Sequence, residues 1–154
     1  MNPELRNRLI KATAGGAIAL ATVLIQWHEG VLYTPYRDSG GVLSVCYGHT
    51  GAVAISSPVS ATSLLDSDQK AAMAIVDANV TAPLTENQKA ALASFVYNVA
   101  RGAFARSTLL KKLNAGDRAG ACDEMRCWKY VDGKVSKGLV NWRSVEREFC
   151  LKPL

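Results

Sequence analysis

Glu29-Gly30, Asp38 and Ser44 fall within one glycine-rich stretch, EGVLYTPYRDSGGVLSVCYGHT over residues 29–50. Hydrolysis of a glycosidic bond usually takes two carboxyl groups on opposite sides of one sugar ring. One protonates the leaving oxygen; the other activates water or attacks the anomeric carbon. A Glu and an Asp at the edges of a hairpin can face each other across a cleft, and a nearby Ser hydroxyl can help hold a water. His49 can orient such a hairpin by hydrogen bonding, a better fit than a role as catalytic base. Spacing alone is a weak signal, because most Glu/Asp pairs at this separation are solvated surface.

The surrounding residues strengthen it. The string E-G-x(7)-D-x-x-G-x-x-[T/S]-x-x-x-G-H, with Glu29, Asp38, Ser44 and His49 in place, closely resembles the active-site stretch of the phage-type lysozymes, a glycoside hydrolase family. The similarity continues through P83-L-T-E-N-Q88, S94-F-V-Y-N-V99, G102-A-F104, S107-T-L-L-K-K-L113, G120-A-C-D-E-M125, Trp128 and R143-S-V-E-R-E-F-C150. It therefore spans residues 24–151. The resemblance implies Glu29 as general acid, with Asp38 and Ser44 across the sugar and an inverting outcome. It also makes Asn98 a cleft-floor residue. Ser44 stands where the family most often has Thr, so the hydroxyl is kept and a rotamer-limiting methyl is lost.

The N-terminal run must deliver Glu29. Residues 12–27, ATAGGAIALATVLIQW, carry no charge and follow Arg6, Arg8 and Lys11. A basic head before an apolar stretch is an export pattern, and the positive flank stays cytoplasmic. The run is short for a lasting span, which needs about 20 apolar residues, but Leu9 and Ile10 extend it. It is also rich in Ala and Gly. A buried core helix and a cleaved signal peptide are both open. Cleavage after A17-I-A19 or A19-L-A21 would remove the helix that carries Glu29. A third reading is an anchor that is not cleaved and later releases. On this point the chain resembles the signal-anchor-release (SAR) endolysins of lambdoid phages. Only Trp27 and His28 separate the run from Glu29, where those proteins often have a polar linker.

The elements around the site follow from pattern. Asp38-Ser39-Gly40-Gly41 is a turn cluster and residues 42–47 a strand, so residues 31–57 form a small β-hairpin lobe. Leu65, Ala72, Ile75 and Val76 fall at helical spacing. Thr85-x-x-Gln88 is a capping box opening a central helix, with Leu92, Phe95, Val96 and Val99 as its core stripe. Ser107 caps a short helix ending at Asn114-Ala115-Gly116. Residues 117–128 and 141–151 form the last helices, joined by a polar loop over 132–138. Trp128 and Tyr130 fit either core packing or stacking on sugars; Arg101 and Arg106 fit either solvent or stem-peptide carboxylates.

Composition narrows the remaining choices. The chain has 154 residues, a formal charge of +5 and a sequence pI of 9.1. With 49% hydrophobic and 20% charged residues it is a folded protein, not a disordered one. Its cations are scattered and have no basic helix interleaved with aromatics, which argues against nucleic acid. Cys46, Cys122, Cys127 and Cys150 form no C-x-x-C pair, and His28 and His49 lack zinc spacing. No metal or cofactor is expected. In an oxidising compartment three disulfide connectivities are open. Cys122 with Cys150 is preferred because both lie on the last two helical segments, expected to pack together; Cys46 and Cys127 are then free or paired.

The expected fold is α+β: a mostly helical lysozyme-like chain, a small β-hairpin lobe and a larger helical lobe, with a cleft between them. Residues 1–27 form the signal-anchor-release segment and 28–154 the catalytic domain. The expected protein is an endolysin, a muramidase cutting the β-1,4 bond between N-acetylmuramic acid and N-acetylglucosamine in peptidoglycan glycan strands. It acts as a monomer, held first at the inner membrane through residues 9–27 with its N-terminus cytoplasmic, then freed into the periplasm. The alternative is a non-catalytic peptidoglycan-binding homologue, which would not need both Glu29 and Asp38.

Overall fold

The computed structural model describes residues 1–29, 32–37, 43–46 and 61–152. Helix α1 (Pro3–Ala12) opens on an Asn2 cap, whose side chain accepts from the Glu4 amide, with Pro3 at the first position. A 3₁₀ turn over Thr13–Gly15 follows, then α2 (Gly16–Glu29). The apolar run is thus a broken helix packed into the body. Leu5, Leu9, Ala17, Leu20, Ala21, Leu24 and Ile25 are buried. At roughly 1.5–3 kcal/mol for each large aliphatic taken from water, this face is a major part of the core. Ile10 and Ile18 look outward, each more than two-fifths exposed.

Strands β1 (Leu32–Arg37) and β2 (Leu43–Cys46) pair antiparallel, with Tyr36 opposite Ser44 and Leu32 opposite Cys46. The register shifts between those pairs, as at a β-bulge. This is the expected hairpin lobe. The expected turns around Asp38 and His49 lie outside the described residues.

Helices α3 (Ala61–Asn79) and α4 (Glu86–Val99) form the centre. The capping box predicted at Thr85 is present: its hydroxyl accepts from the Gln88 amide, and the Gln88 side chain accepts from the Thr85 amide. Residues Ala90 to Val96 of α4 are buried without interruption, so the helix is surrounded rather than half-sunk. α5 (Arg101–Ala105) is a single turn, and α6 (Thr108–Asn114) starts on the predicted Ser107 cap. Two residues past its end Gly116 turns the chain, in the left-handed region at φ 88°.

The predicted helix over 117–128 is α7 (Arg118–Glu124) followed by a 3₁₀ turn, Met125–Cys127. The stretch read as a polar loop contains a two-stranded ribbon, β3 (Tyr130–Val131) and β4 (Lys134–Val135). Asp132 and Gly133 both have positive φ, 49° and 73°, as a two-residue hairpin turn requires. α8 (Lys137–Leu151) then begins four residues before the predicted 141, because Ser136 caps it by accepting from the Leu139 amide. Cys122 of α7 and Cys150 of α8 are joined by a disulfide, the pairing preferred from sequence. Closing a loop of this length is worth roughly 3–4 kcal/mol in the chain-entropy account. Cys127 is an exposed free thiol.

Candidate active site

Glu29 is the last residue of α2, and the apolar face of that helix decides where it comes to rest. Leu20, Leu24 and Ile25 fix the helix against the core, which delivers the last turn, Trp27-His28-Glu29, to the wall of a cleft of about 830 Å³. Other described walls come from the end of α4 (Asn98, Val99), the segment after α7 (Cys127, Trp128), the ribbon (Tyr130, Val131) and the start of α8 (Leu139, Asn141, Trp142). Glu29 and Asn98, two sequence candidates on different elements, therefore meet at one site. Asp38 and His49 lie outside the described residues. Ser44 is placed only as backbone, within β2.

Trp128 lies edge-on to Phe95, ring centroids 5.6 Å apart, while also lining the cleft. Tyr130 lines the cleft and is 57% exposed. Arg101 and Arg106 are exposed and do not line it.

Beneath the cleft lies a polar cluster whose members fall in the 94–99 and 143–150 stretches but whose pairing no spacing announced. Arg143 and Glu146, one turn apart on α8, are both wholly buried with Nη1 3.0 Å from Oε2. Arg143 Nη2 donates to Asn98 Oδ1 at 2.8 Å, which ties the candidate cleft-floor residue to α8. Ser94 donates to Glu146 Oε1 at 2.6 Å and accepts from the Trp142 indole at 3.0 Å. The guanidinium also lies over the Phe95 and Trp142 rings, 5.0 and 5.3 Å from their centroids. Burial pushes the Glu146 carboxyl up to about 7, against the pull of Arg143 and its hydrogen bonds. Burial also lowers Arg143, opposed by the negative charges of Glu146 and Glu29. His28, stacked on Trp142, is lowered to about 4, first by burial and then by the Arg143 charge. Among the described residues no group of three or more His, Cys, Asp or Glu could hold a metal.

Comparison with known proteins identifies the family. The sequence profile of the phage lysozyme family matches residues 26–146, from just before Glu29 to Glu146. The chain belongs to that family. It is a lysozyme, a hydrolase of peptidoglycan. Across 98% of its length it is 45% identical to the SAR-endolysin of Bacteriophage PS119, covering 96% of that protein. Among solved structures it is similar to the muramidase domain of SpmX from Asticaccaulis excentricus. The TM-score is 0.77 at 30% identity, over 86% of this chain and 95% of that one. The endolysin from Escherichia coli O157:H7 phage FAHEc1 gives a TM-score of 0.74 at 29% identity, over 87% and 92%. The enzyme's buried Arg143–Glu146 pair thus closes the matched region at its C-terminal side, and Glu29 lies near its start.

Proposed function

We propose that the enzyme is an endolysin that cuts the β-1,4 bond between N-acetylmuramic acid and N-acetylglucosamine for host lysis, with Glu29 as the general acid. The observation that carries this reading is the delivery of Glu29, by the end of a core-packed helix, to the wall of the main described cleft. In the proposed reaction the Glu29 carboxyl gives its proton to the leaving oxygen. Asp38, ionised, and the Ser44 hydroxyl position water on the opposite face, giving inversion. His49 and Asn98 support the glycan. A general acid must hold its proton until the bond breaks. Among the described residues, two fields act on Glu29 in opposite senses. The C-terminal end of α2 is the negative end of the helix dipole and disfavours a carboxylate there. Arg143 favours one, but its charge is partly offset by Glu146 at 3.0 Å.

The same helix supports the proposed control. Residues 3–29 are long and apolar enough to cross a membrane, yet in the packed molecule Leu20, Leu24 and Ile25 are core. These side chains cannot occupy lipid and core at once. While residues 9–27 anchor the chain in the inner membrane, with the N-terminus cytoplasmic, the helix that presents Glu29 is missing from the body and the cleft is unassembled. Release into the periplasm restores both.

Glu29→Gln tests the chemistry. Turbidity clearing of chloroform-treated Gram-negative cells is expected to fall at least ~10²-fold, the usual worth of general acid catalysis, with far-UV circular dichroism unchanged. Clearing within about tenfold of the parent would exclude the acid role.

A further inference from the structure

The last turn of α2 is only partly buried: Trp27, His28 and Glu29 all retain some exposure. Its ring contact from α8 is Trp142. The imidazole of His28 and the indole of Trp142 are stacked, ring centroids 5.1 Å apart and planes 14° from parallel. Trp142 is itself held. Its indole N–H donates to Ser94 of α4, whose hydroxyl donates to the buried Glu146. Ser94 and Glu146 have no exposure and Trp142 has 5%. An aliphatic side chain would fill this space without burying a ring N–H, a hydroxyl and a carboxyl that must all find partners. The network fixes the plane of one ring, and that ring lies against the residue preceding Glu29.

We propose that Trp142 is a positioning residue for the reaction: by clamping His28 it sets the direction in which α2 ends, and so the place of the Glu29 carboxyl in the cleft. This rests on the reading of Glu29 as the acid. The clamp works with a neutral imidazole, and burial beside Arg143 keeps His28 neutral around neutral pH. Trp142 also lines the cleft, so direct stacking on glycan is the competing role. The two separate in kinetics. A positioning residue lowers kcat and leaves KM nearly alone; a residue that binds sugar in ground and transition state alike raises KM.

The test uses the full-length soluble enzyme with its disulfide formed and a soluble peptidoglycan oligomer as substrate. Trp142→Leu is expected to lower kcat by roughly 10–100-fold, the cost of about an ångström of misplacement, with KM within about threefold. Trp142→Phe, which keeps a stacking ring, should recover most of that loss. His28→Leu attacks the same contact from its more exposed side and should lower kcat similarly, while His28→Phe, which keeps a stacking ring, should recover most of that loss. If the stack is the route, the Trp142→Leu/His28→Leu double variant is no slower than the worse single one. A raised KM at unchanged kcat, or losses that multiply in the double variant, would overturn the proposal. Should Trp142→Leu fail to fold, a His28→Leu enzyme with native circular dichroism and parental kcat overturns it equally. Glu29→Gln in the same assay keeps the readings apart. An inactive Glu29→Gln beside parental His28→Leu rejects only the clamp, whereas an active Glu29→Gln rejects the acid assignment beneath it.

Discussion

Inside α8 a guanidinium and a carboxyl, neither exposed to water, approach to 3.0 Å. The close atoms, Nη1 and Oε2, make no well-directed hydrogen bond. Proximity of charge holds the pair, while Asn98 accepts from Nη2 and Ser94 donates to Oε1; Arg143 Nε has no hydrogen-bond partner among the described residues. The partners differ in their escape routes. A stranded carboxyl can take a proton, and burial already pushes Glu146 up to about 7. A stranded guanidinium cannot lose one in a protein. Glu146→Gln should therefore cost roughly 1–3 kcal/mol, since it leaves Glu29 as the remaining negative charge acting on the buried Arg143. Arg143→Met should cost less, because Glu146 neutralises itself. Urea unfolding at neutral pH measures both, and a larger loss for Arg143→Met would refute the argument. Glu29 and Asn98 were legible in the sequence because motifs flag them. Arg143 and Glu146 lie in the 143–150 stretch, but their burial and role were not legible, since an Arg and a Glu three apart on a helix read as a solvated pair. A signal was nonetheless present: both fall on the face marked by Trp142, Phe149 and Cys150, all buried.

At the level of elements, the break in the N-terminal helix is the feature with most consequence. Gly16 has φ 65° and ψ −162°, a conformation essentially closed to other residues. It lets α2 start afresh, and Glu86 in the first turn of α4 accepts from the Ala17 amide at 2.6 Å. Gln69 of α3, 1% exposed, donates to the Ile18 carbonyl and accepts from the Thr22 hydroxyl. The apolar run is thus received by polar groups that exist only in the folded body. Caps and helix periods were legible because they are local. The break at Gly16 and the partners on α3 and α4 were not, because tertiary contacts create them. Gly16→Leu should act on both sides of the proposed release. It favours lipid by several tenths of a kcal/mol or more on the insertion scale. It also strains the soluble form by about 1–3 kcal/mol, with its Cβ 3.0 Å from the Glu86 carboxylate. Ala14→Leu, at an exposed position of the 3₁₀ turn, adds apolar area without that strain. Pulse-chase fractionation should find Gly16→Leu held in the membrane and Ala14→Leu released more nearly like the parent. Equal retention would mean that the soluble fold does not help withdraw the anchor.

For the whole molecule, two buried groups set opposing pH dependences. His28 falls from 6.5 to about 4 on folding. Between those values the unfolded chain binds more protons, so stability rises with pH through that window and is lost as pH falls from 6.5 toward 4. Glu146 moves the other way, from 4.5 to about 7. There the folded protein binds more protons, so stability falls as pH rises from 4.5 through 7. Each window is worth on the order of 3 kcal/mol, and over about pH 4.5–6.5 the two slopes oppose each other. The enzyme should therefore show a nearly level stability there, falling off below as His28 charges and above as Glu146 ionises. His28→Phe keeps the stack on Trp142 and removes one of the two titrations. Its unfolding free energy, measured in urea at fixed ionic strength with the disulfide intact, should fall steadily from pH 4.5 to 7. A level profile in that variant would mean that Glu146 is not the opposing group, and that Arg143 holds it ionised throughout.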